Sequence, residues 1–342
     1  MFQESDIDIN LLKRFSPLDS LSNGNLNELS HHIKQLHVSK GKILFKRNQP
    51  NKDLFFLIEG SVDLLDEHFQ AQHICAPSDQ TQCALDTHEP HRLTAVTTSD
   101  VILLCLGKDR LDLVMTWDQA GGYLVEDIAD KDALADHDWM SALLGSQLFQ
   151  KVPPANLQQL FTKFTERSVT QGEAIVKEGE KGDTFFVIQK GLCKVTRLND
   201  TGHVYELATL RPGQFFGEEA LIGDTARNAT VSMVSDGILM HLGKDDFKKL
   251  LEAPVVQYLR NAEFEALMAS PEKVVLVDVR LPVEILPADR PSRLVIPLAD
   301  LRTRISDFEA DTTYVLTREG GRRSVLGAYL IHQFGFKAFV QK

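Results

Sequence analysis

Glu218 and Arg227 stand nine residues apart in a stretch that reads Phe215-Phe216-Gly217-Glu218-Glu219-Ala220-Leu221-Ile222-Gly223-Asp224-Thr225-Ala226-Arg227-Asn228-Ala229-Thr230-Val231. These residue types have a chemistry. A guanidinium presents a rigid fork of donors to phosphate oxygens, worth roughly 1.5–3 kcal/mol per charge-assisted contact, whereas a carboxylate only accepts and so suits sugar hydroxyls. Gly217, next to the acid, lets backbone amides approach a ligand closely. An acid for a diol and a cation for a phosphate describe a nucleotide with one phosphate. Taken in isolation, the same Glu and Arg would read as a surface ion pair.

The stretch resembles the phosphate-binding cassette of cyclic nucleotide-binding domains, in which F-G-E-x-A-L-I is followed by R-x-A-T-V, and the spacing matches without a gap. Its flanks agree. Gly172 to Gly191 resembles the family's paired strands and glycine turn, and Leu210-Arg211-Pro212-Gly213-Gln214 its approach to the cassette. The resemblance implies that Arg227 binds the cyclic phosphate and Glu218 the ribose hydroxyl. Gly217, Glu219 and backbone amides near Ala220, Asn228 and Ala229 would complete the cradle. Val195, Leu207 and Leu210 would wall the base, and the helix expected over Tyr258 to Met268 would cap it. cAMP is the expected ligand, with cGMP or a cyclic dinucleotide as alternatives: small apolar residues after the arginine suit cAMP, a hydroxyl often accompanies cGMP, and this chain has Asn228.

The elements that must position this cassette belong to a chain of 342 residues, 43% of them hydrophobic, which suffices for two or three domains with their own cores. No run of about 18 apolar residues exists, and Met1-Phe2-Gln3-Glu4-Ser5-Asp6 lacks the character of a signal peptide, so a cytoplasmic location without membrane insertion is expected. A net charge of −11 disfavours nucleic acid as a partner. Cys75, Cys83, Cys105 and Cys193 show no C-x-x-C spacing and read as reduced, partly buried thiols. The acidic run from Gly121 to Asp138 lacks the central Gly and terminal Glu of an EF-hand, so it reads as a solvated, partly helical connector, and no metal or cofactor is expected.

Ser99-Asp100-Val101-Ile102-Leu103-Leu104-Cys105-Leu106-Gly107-Lys108-Asp109 recurs as Ser235-Asp236-Gly237-Ile238-Leu239-Met240-His241-Leu242-Gly243-Lys244-Asp245. Two related domains therefore stand in tandem. Alignment on this repeat puts Thr81 and Gln82 opposite Gly217 and Glu218, and Arg92 within one residue of the Arg227 position. The first copy thus reads as a degenerate one whose work is packing, dimerisation or partner contact, the alternative being weak binding of an unrelated anion.

After the second copy, Lys244 to Ala269 has helical spacing with Pro254 at an expected bend, and Lys273 to Asp278 and Tyr314 to Thr317 read as buried strands of an α/β layer. Leu276-Val277-Asp278-Val279-Arg280, Glu284, Val295-Ile296-Pro297-Leu298 and Gly321-Arg322-Arg323-Ser324 resemble a rhodanese domain over about the last seventy residues. That family needs a thiolate in its C-x-x-G-x-R-S loop. Here the position is Arg318, and no cysteine follows Cys193, so this domain carries no sulfurtransferase nucleophile. Arg318, Gly320, Gly321, Arg322 and Arg323, at an expected helix N-terminus, form a candidate anion site, the alternative being solvated arginines with Arg323 against Asp278.

The expected fold is an α+β multidomain chain. Residues 8–116 form a degenerate β-roll (jelly-roll-like) domain, 117–143 a connector, 144–269 a cyclic nucleotide-binding domain with C-terminal hinge helices, and 270–342 a rhodanese-like domain. The expected function is a non-enzymatic cyclic nucleotide receptor that rearranges its domains to signal to a protein effector, as monomer or homodimer. The alternatives are a sulfurtransferase using an external thiol and a transcription regulator, although the sequence after the hinge is strand-like where a recognition helix would be needed. A kinase-type regulatory subunit is set aside because no basic segment precedes Lys13.

Overall fold

The structure, a computed structural model, describes residues 7–120, 139–198, 202–285 and 290–342; the expected connector Gly121 to Asp138 lies outside them. It divides into two units, Met1–Met115 and Thr116–Lys342.

The first unit begins with α1 (Ile9–Leu12) and α2 (Asn23–Ser30), the latter capped by Ser22 Oγ, which accepts from Asn25 N at 3.3 Å. β1 (Lys34–Val38), β2 (Ile43–Phe45), β3 (Asp53–Leu65), β4 (Ala71–Ala76), β5 (Thr94–Thr97) and β6 (Val101–Gly107) follow, then α3 (Lys108–Gln119), which runs into the second unit. The strand order is β1-β6-β3-β5-β2, with β4 on β3, and every pair is antiparallel. β3 serves two partners in turn, β6 with its first half and β4 and β5 with its second. The strand changes partners at Gly60, whose φ is 90° and where a Cβ would stand 2.3 Å from Asp100 O.

The second unit opens with α4 (Trp139–Gly145) and α5 (Pro154–Lys163). Its roll contains β7 (Thr165–Val169), β8 (Ala174–Val176), β9 (Thr184–Lys190), β10 (Cys193–Leu198), β11 (Val204–Leu210), β12 (Phe215–Phe216), α6 (Glu218–Ile222), β13 (Thr230–Met233) and β14 (Gly237–Gly243). Two four-stranded sheets result, β11-β10-β13-β8 and β12-β9-β14-β7. β9 carries four consecutive apolar residues because both its faces are covered. Phe186 and Ile188 enter the core between the sheets with Val195, Phe216 and Val231, while Phe185 and Val187 face the helices and the C-terminal layer.

The expected repeat is present in the hydrogen bonds as well as the residues. Gly41 N donates to Thr97 O at 2.8 Å as Gly172 N does to Met233 O at 2.9 Å, and Lys40 N donates to Asp100 Oδ1 at 2.9 Å as Gln171 N does to Asp236 Oδ1 at 2.7 Å. Gly60 has its counterpart in Gly191, with φ 95° and a Cβ position 2.9 Å from Asp236 O.

α7 (Lys244–Phe247), a π turn over Lys248–Glu252 and α8 (Ala253–Val255) form one continuous helical run. Pro254 therefore does not interrupt the helical run. Having no N–H, it leaves the carbonyl of Leu250 without its helical donor, and Asn156 Nδ2 supplies one at 3.2 Å. The break comes later, at β15 (Tyr258–Leu259), so Tyr258 starts a strand where a helix was expected, and α9 covers only Asn261–Met268. β16 (Lys273–Asp278), β17 (Leu294–Val295), β18 (Thr312–Leu316), α10 (Arg322–Gln333) and β19 (Lys337–Gln341) complete a parallel sheet in the order β15-β19-β18-β16-β17.

The sheet thus draws a strand from before residue 270, and one apolar core joins Phe185, Leu221 and Phe247 of the roll region to Val277, Leu326 and Tyr329 of the α/β layer. The expected division at residue 270 is no break in packing. Lys151, just before α5, donates to Phe336 O at 2.8 Å and pairs with His332 Nδ1 at 2.9 Å, while His332 Nε2 meets Ala338 O at 2.8 Å. Burial, and then the charge of Lys151, push the His332 pKa down to about 4, so the ring is neutral and can accept from the lysine.

Gly60→Ala combines a left-handed φ with a backbone collision, whereas Gly41→Ala, at φ 80° with nothing within 4 Å, has the φ cost alone. Urea unfolding is expected to show a loss of about 1–2 kcal/mol for Gly41→Ala and a larger one for Gly60→Ala.

Candidate functional site

β12 brings Phe216 onto Phe186 of β9, with ring centroids 5.1 Å apart and planes 14° from parallel, and the chain then turns at Gly217. Gly217 has φ 90°, and a Cβ there would lie 2.6 Å from Arg227 Nη1 and 3.0 Å from Thr184 O. Only a residue without a side chain lets the turn and the guanidinium share this space. The turn starts α6, whose first residues are Glu218 and Glu219.

Arg227 is fixed at both ends. Its N donates to Glu180 O at 2.7 Å, and its carbonyl accepts from Gly179 N at 2.8 Å and from Trp117 Nε1 at 3.3 Å. Nη1 donates to Gly217 O at 2.7 Å and Nη2 to Thr184 O at 2.6 Å, with the residue 4% exposed. Burial pulls the guanidinium pKa down, and Asp183, Glu218 and Glu180 act the other way. It stays charged.

Glu218 is 2% exposed, and its Oε2 is buried without a hydrogen-bond partner among the described residues. Desolvation, then the neighbouring Glu219, push its pKa up to about 8, against smaller pulls from its own backbone, Arg302 and Arg227. Glu219 has partners. Its Oε1 pairs with Arg302 Nη2, and its Oε2 accepts from Asn228 Nδ2 at 3.0 Å. Asn228 Nδ2 also donates to Ala120 O at 3.3 Å, so both amide protons are used.

A cleft open to solvent lies over these groups. Val195, Leu207, Phe216 and Val231 supply its apolar lining, and Gly217, Glu218, Glu219, Ala220, Arg227, Asn228 and Ala229 the rest. Leu210, expected on the wall, is 3% exposed in the core between the sheets and does not line the cleft. It lies on the buried register of β11, where the strand's pleat directs it inward. Tyr258 and the residues of α9 are absent from the lining as well, so the expected cap is not in place.

Arg302 is the site residue that sequence reading missed. The one available signal was Glu219 itself: a second acid on a short buried helix demands a cation, and no nearby residue supplies it. Among the described residues no group of three or more potential metal ligands occurs.

The loop around residue 318 is filled by its own contacts. Arg323 is 3% exposed and pairs with Glu284 through two bonds of 2.8 Å, in place of the expected Asp278. Asp278 is held by Arg280 at 2.7 and 3.0 Å and by Arg293 at 2.9 Å. A Cβ on Gly320 would lie 2.2 Å from Ser324 Oγ, which donates to Thr317 O at 2.6 Å. Gly321 and Arg318 are exposed and Arg322 is half-buried. Of the thiols, Cys193 is buried, with its pKa pushed up to about 12 by desolvation, whereas Cys75 and Cys83 are exposed, contrary to the expectation of burial.

Residues 166–253 match the cyclic nucleotide-binding domain family. The match contains Glu218, Glu219, Arg227 and Asn228. Among curated proteins, the chain is similar to the cAMP-dependent protein kinase regulatory subunit of Debaryomyces hansenii, at 33% identity over 62% of this chain and 43% of that protein. It is similar also to the Candida albicans protein of the same name, at 29% identity over 68% of this chain and 46% of that one. The chain spans about half the length of the curated relatives it matches. Among solved structures, the regulatory domain of Toxoplasma gondii PKA with cAMP aligns over 71% of this chain and 90% of that one, with 17% identity and a TM-score of 0.31. These relatives are the class that the N-terminal sequence had set aside. No helix among the described residues is long and apolar enough to cross a membrane.

Two outcomes follow from the buried charges. Glu218 holds its proton in the folded chain up to about pH 8 but releases it in the ordinary carboxylate range once unfolded, so stability is expected to fall as pH rises between those limits. Glu252, pushed up to about 7, adds to the same slope. Urea midpoints from pH 5 to 9 should therefore decline less steeply in Glu218→Gln. Arg302→Ala strips Glu219 of its cation and is expected to cost about 3–5 kcal/mol, whereas Glu219→Leu with Arg302→Met should restore most of that loss.

Proposed function

We propose that the cleft of the second roll is a cyclic nucleotide receptor site, with cAMP as its first ligand. The observation that carries this reading is the joint placement of a buried guanidinium and a buried, unpartnered carboxyl oxygen, Arg227 and Glu218 Oε2, in one cleft. Arg227 uses two of its five donors on Gly217 O and Thr184 O. A cyclic phosphate takes others, and Glu218 meets the ribose hydroxyl, with Val195, Leu207, Phe216 and Val231 against the base or sugar. The match of residues 166–253 and the names of the relatives support the same ligand class. The engagement of both Asn228 amide protons leaves none to read a guanine carbonyl, which favours cAMP over cGMP.

Signalling runs through Glu219. A ligand that touches Glu218 changes the electrostatics of its neighbour, whose partner Arg302 belongs to the α/β layer, so occupancy alters how that layer is held. A ligand shifts such an equilibrium only by its difference in affinity for the two arrangements. The α/β layer, rhodanese-like in its motifs and with Arg318 at the thiol position, acts as a docking element without catalysis. A cytoplasmic protein effector reads the change, and the names of the relatives make a kinase catalytic subunit the first partner to test.

Calorimetric titration of cAMP, cGMP and a cyclic dinucleotide into wild type and Arg227→Ala tests the site. cAMP is expected to bind tightest, and Arg227→Ala to weaken it about 10- to 150-fold, the loss of one charge-assisted contact. Equal binding by both proteins would remove the site from consideration.

A further inference from the structure

The first unit contains a second anion cradle, already filled. His91 stands where the second unit has Arg227. Its N donates to Gln49 O at 2.9 Å and its O accepts from Asn48 N at 2.8 Å, as Arg227 N donates to Glu180 O at 2.7 Å and Arg227 O accepts from Gly179 N at 2.8 Å. The next register point agrees, since Arg47 N donates to Thr94 Oγ1 and Glu178 N to Thr230 Oγ1, both at 3.0 Å. Arg92 and Leu93 are therefore the counterparts of Asn228 and Ala229, so Arg92 stands one residue past the Arg227 position, within the one-residue interval expected from the repeat.

The other side of the cradle is corrected. Leu85 N donates to Phe55 O at 2.9 Å, which puts Leu85 where Phe216 pairs with Phe186, and Asp86 where Gly217 stands. Thr81 and Gln82 are not in that place. Leu85 and His91 are six positions apart and Phe216 and Arg227 eleven; the difference of five is the length of α6. With that helix missing, the chain folds Asp86 into the gap.

The Asp86 side chain, 1% exposed, is encircled. Its Oδ2 accepts from Arg92 N at 2.9 Å and Leu93 N at 3.3 Å and meets His91 Nδ1 at 3.2 Å; its Oδ1 accepts from His88 N at 3.0 Å and meets His88 Nδ1 at 2.7 Å. His91 is held flat on Phe45, with ring centroids 4.0 Å apart and planes 7° from parallel. Asn51 Nδ2 donates to Asp86 O at 3.0 Å and His88 O at 2.9 Å, fixing the loop.

We propose that Asp86 is a built-in ligand: its carboxylate fills, from within the chain, the oxyanion cradle that the equivalent stretch of the second unit offers to a solute. Only the identity of that solute rests on the cyclic nucleotide reading. The first unit then takes no nucleotide, and the chain binds one per molecule. Removing the carboxylate uncovers a site for a small oxyanion such as phosphate or formate.

The test uses the full chain carrying Arg227→Ala, which silences the second cradle, with and without Asp86→Ala. Thermal unfolding is followed against inorganic phosphate and formate at constant ionic strength. A saturable rise in midpoint in the Asp86→Ala chain, absent from its Asp86 parent, is expected; equal responses in the two would overturn the proposal. Should Asp86→Ala not fold in chloride, recovery on dilution into phosphate of the same ionic strength supports the proposal, and failure there too overturns it. Asp86→Asn keeps the shape and loses the charge, so it is expected to unfold below the parent, and a midpoint equal to the parent's counts against a required anion. Because these readouts involve no nucleotide, failure of cAMP binding by the wild type would leave this result standing, and the reverse.

Discussion

A buried guanidinium has to be surrounded by oxygen, and the second roll is built to do that for Arg227. Its main chain is clamped by Gly179 and Glu180, and its side chain is clamped by the carbonyls of Gly217 and Thr184. Both carbonyls belong to residues whose place is set by the sheet: Thr184 opens β9, and Gly217 follows the β12 residue paired to Phe186 of β9. The strands therefore hold the two carbonyls at the separation that the guanidinium spans. On the proposed function, the charge is compensated well enough to fold and incompletely enough to attract an anion. This is the ordinary condition of a receptor, in which part of the desolvation cost is left for the ligand to offset.

The second acid of α6 extends that condition outward. Glu218 is left without a partner for one oxygen and holds a proton, while its neighbour Glu219 is held by Arg302 and Asn228. Two adjacent carboxyls in one buried turn cannot both ionise cheaply, and the protein resolves the conflict by giving the cation to one of them. Which acid is ionised then depends on where Arg302 sits, and Arg302 lies between β17 and β18 of the parallel layer. The geometry of that layer and the charge state of the cleft are one electrostatic problem. The shared apolar core and the Lys151–His332 contact fix the same layer from other sides.

The cassette was legible because its chemistry is local. Phe216 to Val231 contains the turn glycine, the acid and the cation in one contiguous run, and the structure assembles them in one cleft. Arg302 was illegible for the opposite reason, being 83 residues from its partner, with nothing in the intervening sequence marking it among the other arginines. Short elements also escaped. The two-residue β15 has no periodicity to read, and Pro254 looked like a break because its compensation, the Asn156 side chain, is 94 residues from the Leu250 carbonyl it serves. Leu210 failed on parity: a strand's face cannot be assigned by counting from a neighbour until the register is known.

The first roll shows what the same constraint becomes when α6 is absent. Alignment on residue identity alone slid across the five-residue deletion and put Thr81 and Gln82 in the cassette's place, so the copy looked merely worn. The hydrogen bonds restore the register and show an ordered arrangement. An imidazole stands at the cation position, the two amides after it remain, and a carboxylate from a shortened loop faces them. Backbone amides buried in a roll need an acceptor whatever the function. In the second unit, on the proposed function, that requirement is met in part by leaving the site open to solutes. In the first it is met by Asp86, whose pKa the surrounding donors, opposed by burial, hold down to about 2. Loss of the helix and gain of the internal carboxylate are therefore one change, since a shortened cassette without an acid at that place would bury unsatisfied amides.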